Sequence, residues 1–316
     1  MNDGAAEDAQ KPIWARRLAL VRAPEAAEPL RAAVVIALIG CLRGGMAPVY
    51  LGGAGVLVAL LLIGPQGVRW AKATGPFFLA VVAYDLFGLI AHLRGEVLVA
   101  GPYELERSLF GVLDGDRVVV LAEFFASRTN IAADVVFGAA YAVYLYFVPG
   151  MSIVLLALGR DRPVRVLGLA FLATHLVAFA IWLALPVAPP WYVMEYGFGP
   201  AKLDVPGNAA GAARFDALFG IRYFEKFYAQ SRNPFGALPS LHVAYPVLLV
   251  ATVFREHPAF RVVAGVLLAA VAAAAIYLCH HYVIDLLAGA GVALVSFAGA
   301  SWWVTNRTRT PAVGPQ

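Results

Sequence analysis

His281 and Asp285 stand four apart in His280-His281-Tyr282-Val283-Ile284-Asp285, a polar stretch between two long apolar runs. On a helix that spacing brings both side chains onto one face. The aspartate can then take the Nδ1 proton of His281, fix its tautomer and leave Nε2 free as base or nucleophile. Burying a carboxylate in an apolar stretch costs several kcal/mol unless it is paired, so the pair needs a reason to be there. Two readings stay open on these residues alone: a catalytic couple, or a polar staple between helices.

A second stretch adds weight to the first reading. Asn233-Pro234-Phe235-Gly236-Ala237-Leu238-Pro239-Ser240-Leu241-His242 precedes another apolar run, Val243 to Phe254. Pro239 favours a turn or a helix start, and Ser240 suits an N-cap or first turn. The free N–H groups and partial positive charge of that helix end suit a phosphate. His242 stands in its first turn. Two histidines, an aspartate and an anion-ready helix end suffice for acid–base and nucleophilic work on a phosphate ester.

The elements that must position these groups are membrane spans. Of 316 residues, 61% are hydrophobic and 14% charged, and mean hydropathy is +0.75. A soluble domain of this size is about half apolar and a quarter charged. Apolar spans run at about 29–43, 46–64, 74–93, 131–158, 163–186, 240–254, 259–281 and 282–304. They predict one all-α, polytopic transmembrane domain over 29–304, a bundle of about eight helices (six to eight, with seven the nearest alternative) under a helical exoplasmic cap. Arg43 interrupts the first run, and Pro149-Gly150 should kink the fourth. Residues 1–28 form a polar segment with an interfacial patch at Pro12–Leu20, and 305–316 a disordered tail. Asp3, Glu7 and Asp8 are unlike the basic start of a cleaved signal peptide.

Cations orient the spans. Arg69 and Lys72, then Arg160, Arg162 and Arg165, then Arg255 and Arg261 fall in short loops that alternate to one side, read as cytoplasmic. The long segments 94–130 and 187–239 then lie on the other side, with both histidines. The first of these is read as short amphipathic helices of unknown role.

Cys41 and Cys279 lie in or at the end of apolar spans and read as small core residues. His92, His175 and His257 have no ligand-spaced neighbour, so no metal and no cofactor are expected. His175 reads as a hydrogen-bonded structural residue, His257 as a solvated one, and His280 as a neighbour pointing about 100° away from His281. Asp85 and Asp134 either shape a cavity or join helices by hydrogen bonds, the second being the plainer role. Nothing suggests a nucleic-acid partner, and the oligomeric state stays open.

Pro239-Ser240-Leu241-His242 and His281-Tyr282-xx-Asp285-xxx-Gly289 resemble the second and third signature motifs of the type 2 phosphatidic acid phosphatase superfamily. Ala188-Pro189-Pro190-Trp191-Tyr192, Ala213-Arg214-Phe215-Asp216 and Tyr277-Leu278-Cys279-His280-His281-Tyr282 are similar to its inositol phosphorylceramide synthase (aureobasidin-resistance) branch. The resemblance covers about residues 186–291. The superfamily's first motif is absent, since Arg162-Pro163 sits at the wrong side, and the Ser-Arg before its third motif is Ala274-Ala275 here. The synthase branch lacks the same cationic clamp.

The resemblance implies that His281 attacks phosphorus to form a phosphohistidine, Asp285 orients it, and His242 protonates the departing oxygen. A lipid hydroxyl then takes the head group, most simply inositol phosphate passing from a glycerophospholipid donor to a ceramide-like acceptor. The alternative is a lipid phosphatase or pyrophosphatase using water. Substrate-binding candidates are Ser240, Arg214, Lys202 and Arg232, with Arg214 the foremost clamp, though a solvated loop arginine is an open reading of it. Trp191 and Tyr192 are either an aromatic rim at a lipid entrance or an ordinary interfacial belt.

Overall fold

A computed structural model describes residues 12–43, 47–231 and 233–307. Eight apolar runs become α2 (Ala27–Leu42), α3 (Ala47–Ile63), α4 (Pro65–Ile90), α7 (Ile131–Ala157), α8 (Asp161–Ala184), α12 (Leu241–Val253), α13 (Pro258–Tyr277) and α14 (Val283–Arg307). Five of them (α4, α7, α8, α13 and α14) are long and apolar enough to cross a membrane, while α3 and α12 are shorter apolar helices. Outward-facing Val34, Leu38, Val262, Val266, Leu294 and Val295 leave the bundle's flanks apolar, as an integral membrane protein requires. A short α1 (Ile13–Arg22) precedes the bundle.

α8 is the hub, packing on α4, α7, α12 and α14. A single core joins α4, α7, α8, α12, α13 and α14. α2 and α3 pack on α4 outside it, around Ile36, Tyr50, Leu57 and Leu61. Arg43 binds Asp85 through Nε at 2.9 Å, and Tyr50 donates to the same carboxylate, so Asp85 joins α2, α3 and α4. This is the plainer of its two roles. α7 starts on Asn130, whose side chain accepts the Ala133 N–H at 2.9 Å, and it continues through Pro149 to Ala157.

α4 begins nine residues before the apolar run read from sequence, because Pro65 is preorganised for a helical first turn. Arg69 and Lys72 therefore lie on α4 and not in a loop. Their end of the bundle is the one expected: Arg69 pairs with Asp161, Arg160 with Glu256, and Arg165 with Glu28, each at 2.8–2.9 Å. α14 extends to Arg307, past the expected boundary at 304. The rest of the expected tail, 308–316, lies outside the described residues.

The cap holds α5 (Ala100–Phe110), strands β1 (Val112–Asp114) and β2 (Arg117–Val119), α6 (Leu121–Ala126), α9 (Pro190–Tyr196), α10 (Ala213–Phe219) and α11 (Tyr223–Ala229). The β-hairpin corrects the purely helical expectation for 94–130. Gly115 supplies the positive φ of 61° in its two-residue turn. A backbone bond ties the two long segments together, Ala188 N–H donating to Leu98 at 3.0 Å, and within the second Val187 N–H donates to Phe235 at 3.0 Å.

Candidate active site

His280 and His281 lie in the turn between α13 and α14, not on a continuous helix. Both their N–H groups donate to Ala275, at 3.0 and 3.1 Å, after Cys279 takes a left-handed φ of 62°. The turn folds back over the end of α13. His281 and Asp285 meet anyway, with Nδ1 3.4 Å from Oδ2. Asp285 is fully buried in the first turn of α14, where its Oδ2 also accepts the Tyr282 N–H at 2.9 Å. The two meet from a loop onto a helix start and at ion-pair range, without the hydrogen bond that helical spacing predicts, since His281 Nδ1 has no hydrogen-bond partner.

α12 delivers the second histidine. His242 Nδ1 lies 2.8 Å from His281 Nε2, so Asp285, His281 and His242 form one line. Ser240 takes the N-cap position of α12 with extended backbone, but its hydroxyl makes no capping bond. The oxygen is buried and unpartnered. Its N–H instead donates to the Asp285 carbonyl at 3.0 Å, which ties the two motifs together through their backbones. Gly289 makes that approach possible, since a Cβ there would lie 2.2 Å from the Ser240 carbonyl oxygen.

The cap holds the histidine turn from above. Trp191 N–H donates to the Cys279 carbonyl and Gly211 N–H to that of Leu278, both at 3.0 Å. Glu106 of α5, 1% exposed, accepts the N–H groups of Val283 and Ile284 at 2.9 and 3.1 Å. It caps α14 from 177 residues away, in a segment whose role sequence did not reveal. Burial raises the Glu106 pKa, and those two N–H bonds pull it back down. Burial and the neighbouring His281 hold His280 down at about 3. It therefore stays neutral, with Nε2 at 3.1 Å from the Ala209 carbonyl. Burial pushes the Cys279 thiol up to about 11, so it is no thiolate at neutral pH.

The substrate-binding candidates fall in different places. Arg214 Nε pairs with Asp134 at 2.7 Å, and Tyr277 donates to the same oxygen at 2.9 Å. The Arg214 Nη2 is buried without a partner, while its side chain as a whole is 30% exposed. Lys202 Nζ sits over the Tyr196 ring at 4.9 Å. Neither side chain hydrogen-bonds the histidine pair. Arg232 lies outside the described residues. Trp191 and Tyr192, 7% and 1% exposed, pack in the cap's core with Phe235, Cys279 and Tyr282. They are not an exposed rim or belt, because their hydrophobic faces are spent on seating the histidine turn. His175 bridges the Phe171 carbonyl and the Tyr245 hydroxyl, both at 2.8 Å, as a structural residue. Among the described residues no three His, Cys, Asp or Glu side chains could hold a metal ion. Cys41 and Cys279 are both free.

Two aromatic neighbours carried no sequence signal. Tyr141 stacks on His242 with centroids 4.6 Å apart, and the Tyr228 hydroxyl is 3.5 Å from His242 Nε2. A tyrosine in an apolar run, like Tyr141, is ordinary core, Tyr228 sits in a mixed polar stretch of the cap, and only the fold turns both toward the histidine.

Comparison with known proteins agrees with this geometry. Residues 112–299 match the family model of the PAP2 superfamily. A phosphoinositol dihydroceramide synthase of Bacteroides thetaiotaomicron is 35% identical over 281 residues, 87% of this chain and 92% of its own. The inositol phosphorylceramide synthase catalytic subunit of Schizosaccharomyces pombe is 30% identical, covering 57% of this chain and 43% of its own. Inositol phosphorylceramide synthase of Candida albicans is 29% identical, with 59% and 39% covered. No solved structure is a significant match. With two motif histidines in contact, a buried aspartate behind them and these relatives, the chain belongs to the PAP2 superfamily, in its inositol phosphorylceramide synthase branch of membrane phosphotransferases.

Proposed function

We propose that the protein moves inositol phosphate from phosphatidylinositol onto the hydroxyl of a ceramide-like lipid through a phosphohistidine. The observation that carries this reading is the 2.8 Å contact between His242 and His281 with Asp285 behind it. His281 Nε2 attacks phosphorus while its Nδ1–H faces Asp285, and the P–O bond to diacylglycerol breaks. His242, entering as imidazolium, gives its proton to the departing oxygen. Neutral His242 then takes the proton of the acceptor hydroxyl, whose oxygen displaces His281 from phosphorus. The buried, unpartnered Ser240 hydroxyl and the α12 N-terminus support phosphate binding there. Arg214, with its spare Nη2, is the cation we assign to the phosphate's charge.

The names of the relatives support inositol phosphate as the head group and a ceramide as the acceptor. The test is a host lacking such lipids, fed labelled inositol with and without the chain. An inositol-labelled, ceramide-containing lipid should appear only with the chain. Labelled inositol phosphate released to water instead would favour hydrolysis over transfer.

Turnover should persist in excess chelator, because the chemistry above runs through imidazole and carboxylate groups alone. Loss of activity in EDTA, restored by a divalent ion, would overturn this expectation.

The active site faces the exoplasmic side in this reading, periplasmic or luminal, and donor lipid is drawn from that leaflet. The gathering of Arg69, Arg160 and Arg165 at the opposite end supports it. In a Cys41→Ser background with buried Cys279 kept, Asp204→Cys in the cap should react with an impermeant thiol reagent in intact cells. Arg255→Cys should react only after permeabilisation. The reverse pattern would place the chemistry on the cytoplasmic face.

A further inference from the structure

Helix lengths give the cap a depth. α7 ends at Ala157 and α12 at Val253, and the Arg160–Glu256 ion pair joins the turns that follow them at the basic end of the bundle. At a rise of about 1.5 Å per residue, Ala142 stands about 22 Å above that end along α7, and His242 about 16 Å above it along α12. The hydrocarbon of a bilayer is about 30 Å thick. Both points therefore lie inside it, between its midplane and the edge on the histidine side.

The pair α10–α11 is fastened at these depths. The Tyr223 hydroxyl donates to the Ala142 carbonyl at 3.0 Å, and the Tyr228 hydroxyl is 3.5 Å from His242 Nε2. Phe215 of α10 seats on the bare face of Gly138, one helical turn above Ala142. Two separate helices thus report one level for α11, below the membrane edge and not above it. Phe224, 2% exposed, faces the bundle, while Leu218, Phe219, Ile221 and Phe227 face away from it at 42–54% exposure.

Its charges suit that level. Arg222 Nε binds Glu225 at 2.6 Å, so the two neutralise each other on the helix. Asp216 is spent on the N–H groups of Phe224 and Glu225, at 3.2 and 3.0 Å. Lys226 has a stem long enough to carry its ammonium up to the head groups. In water the outward face would be an exposed apolar patch; among acyl chains it is solvated.

We infer that the α10–α11 hairpin, residues 213–229, is a lipid-docking surface immersed in the leaflet on the histidine side, with Leu218, Phe219, Ile221 and Phe227 among the acyl chains. α11 is then the wall between lipid and the catalytic line, since Phe227 points outward and its neighbour Tyr228 points to His242. The inference needs only the depth. It holds whichever side of the membrane the histidines open to, and whether water or a lipid hydroxyl is the acceptor.

The test places a nitroxide at single cysteines of the full chain in phosphatidylcholine vesicles, in the Cys41→Ser background with buried Cys279 kept. Phe219→Cys and Phe227→Cys report on the hairpin, with Ile221→Cys standing in for either should it fail to fold. Val295→Cys on the outer flank of α14 is the lipid reference, and Asp204→Cys the aqueous one. Thermal unfolding of each labelled protein checks the fold. The ratio of collisions with oxygen to collisions with a water-soluble nickel chelate should exceed the Asp204→Cys value several-fold at both hairpin positions and lie nearer that of Val295→Cys. Ratios nearer that of Asp204→Cys would put the hairpin in water and overturn the inference.

Discussion

His281→Ala abolishes turnover while the protein still inserts and folds. The side chain is the one ring that touches both other members of the line, His242 at 2.8 Å and Asp285 at 3.4 Å. Removing a nucleophile from such a unit costs about as much as removing all of it, on the order of 10⁶ in rate for a serine protease. A loss of at least about 10⁴ is expected here. The cost to folding is much smaller, because the turn is held by its backbone: Ala275, Trp191 and Gly211 keep their bonds to it whatever residue 281 carries. The measurement is inositol-lipid formation by wild-type and variant protein at matched expression, with labelled donor used to trap the phosphoenzyme. An active His281→Ala protein, or one that still becomes labelled, removes His281 as nucleophile.

Much of this arrangement was legible because two strong regularities carried it. Long apolar runs mark helices in a membrane, and the alternation of basic ends with long polar segments placed His242 and His281 at one end before any contact was known. The 2.8 Å contact between them agrees with that placement. Local spacing was a weaker guide. His281 reaches Asp285 without the helix that the spacing implied, since Cys279 turns the chain and the helix begins only at Val283.

What stayed illegible is non-local. Nothing near Glu106 says that its carboxylate will cap a helix 177 residues away; in sequence it is one of several acidic residues on an amphipathic segment. Trp191 and Tyr192 read as membrane-interface residues because aromatic side chains serve equally well in a belt and in a core. Their burial against the histidine turn follows from the α9 seat on the Cys279 carbonyl. Arg214 illustrates the same limit. A loop arginine is solvated by default, and only the fold brings Asp134 and Tyr277 to it. The hairpin at 112–119 did have a signal, Asp114-Gly115, but its strands are three residues each, too short to show alternation.

Asp285→Asn keeps the shape of the site and loses most of its rate. The amide oxygen can still accept the Tyr282 N–H now held at 2.9 Å, and residue 285 keeps its place in the first turn of α14. Two things change. The negative charge that balances an imidazolium or phosphorylated His281 is gone, and the amide N–H₂ can face Nδ1 as a donor, favouring the wrong tautomer. The matching change in a serine-protease triad costs about 10⁴ in kcat, and a loss of at least 10² is expected here, on the order of a usual acid–base contribution. Stability should fall only slightly. A charge at a helix N-terminus is worth about 0.3–1 kcal/mol, and neutralising a fully buried carboxylate offsets part of that. The decisive reading is therefore rate against melting temperature. A fall of two decades or more in rate, with melting within a few degrees of wild type, assigns Asp285 to the chemistry. A near wild-type rate would reduce Asp285 to a helix cap and leave His281 to be oriented by His242 alone.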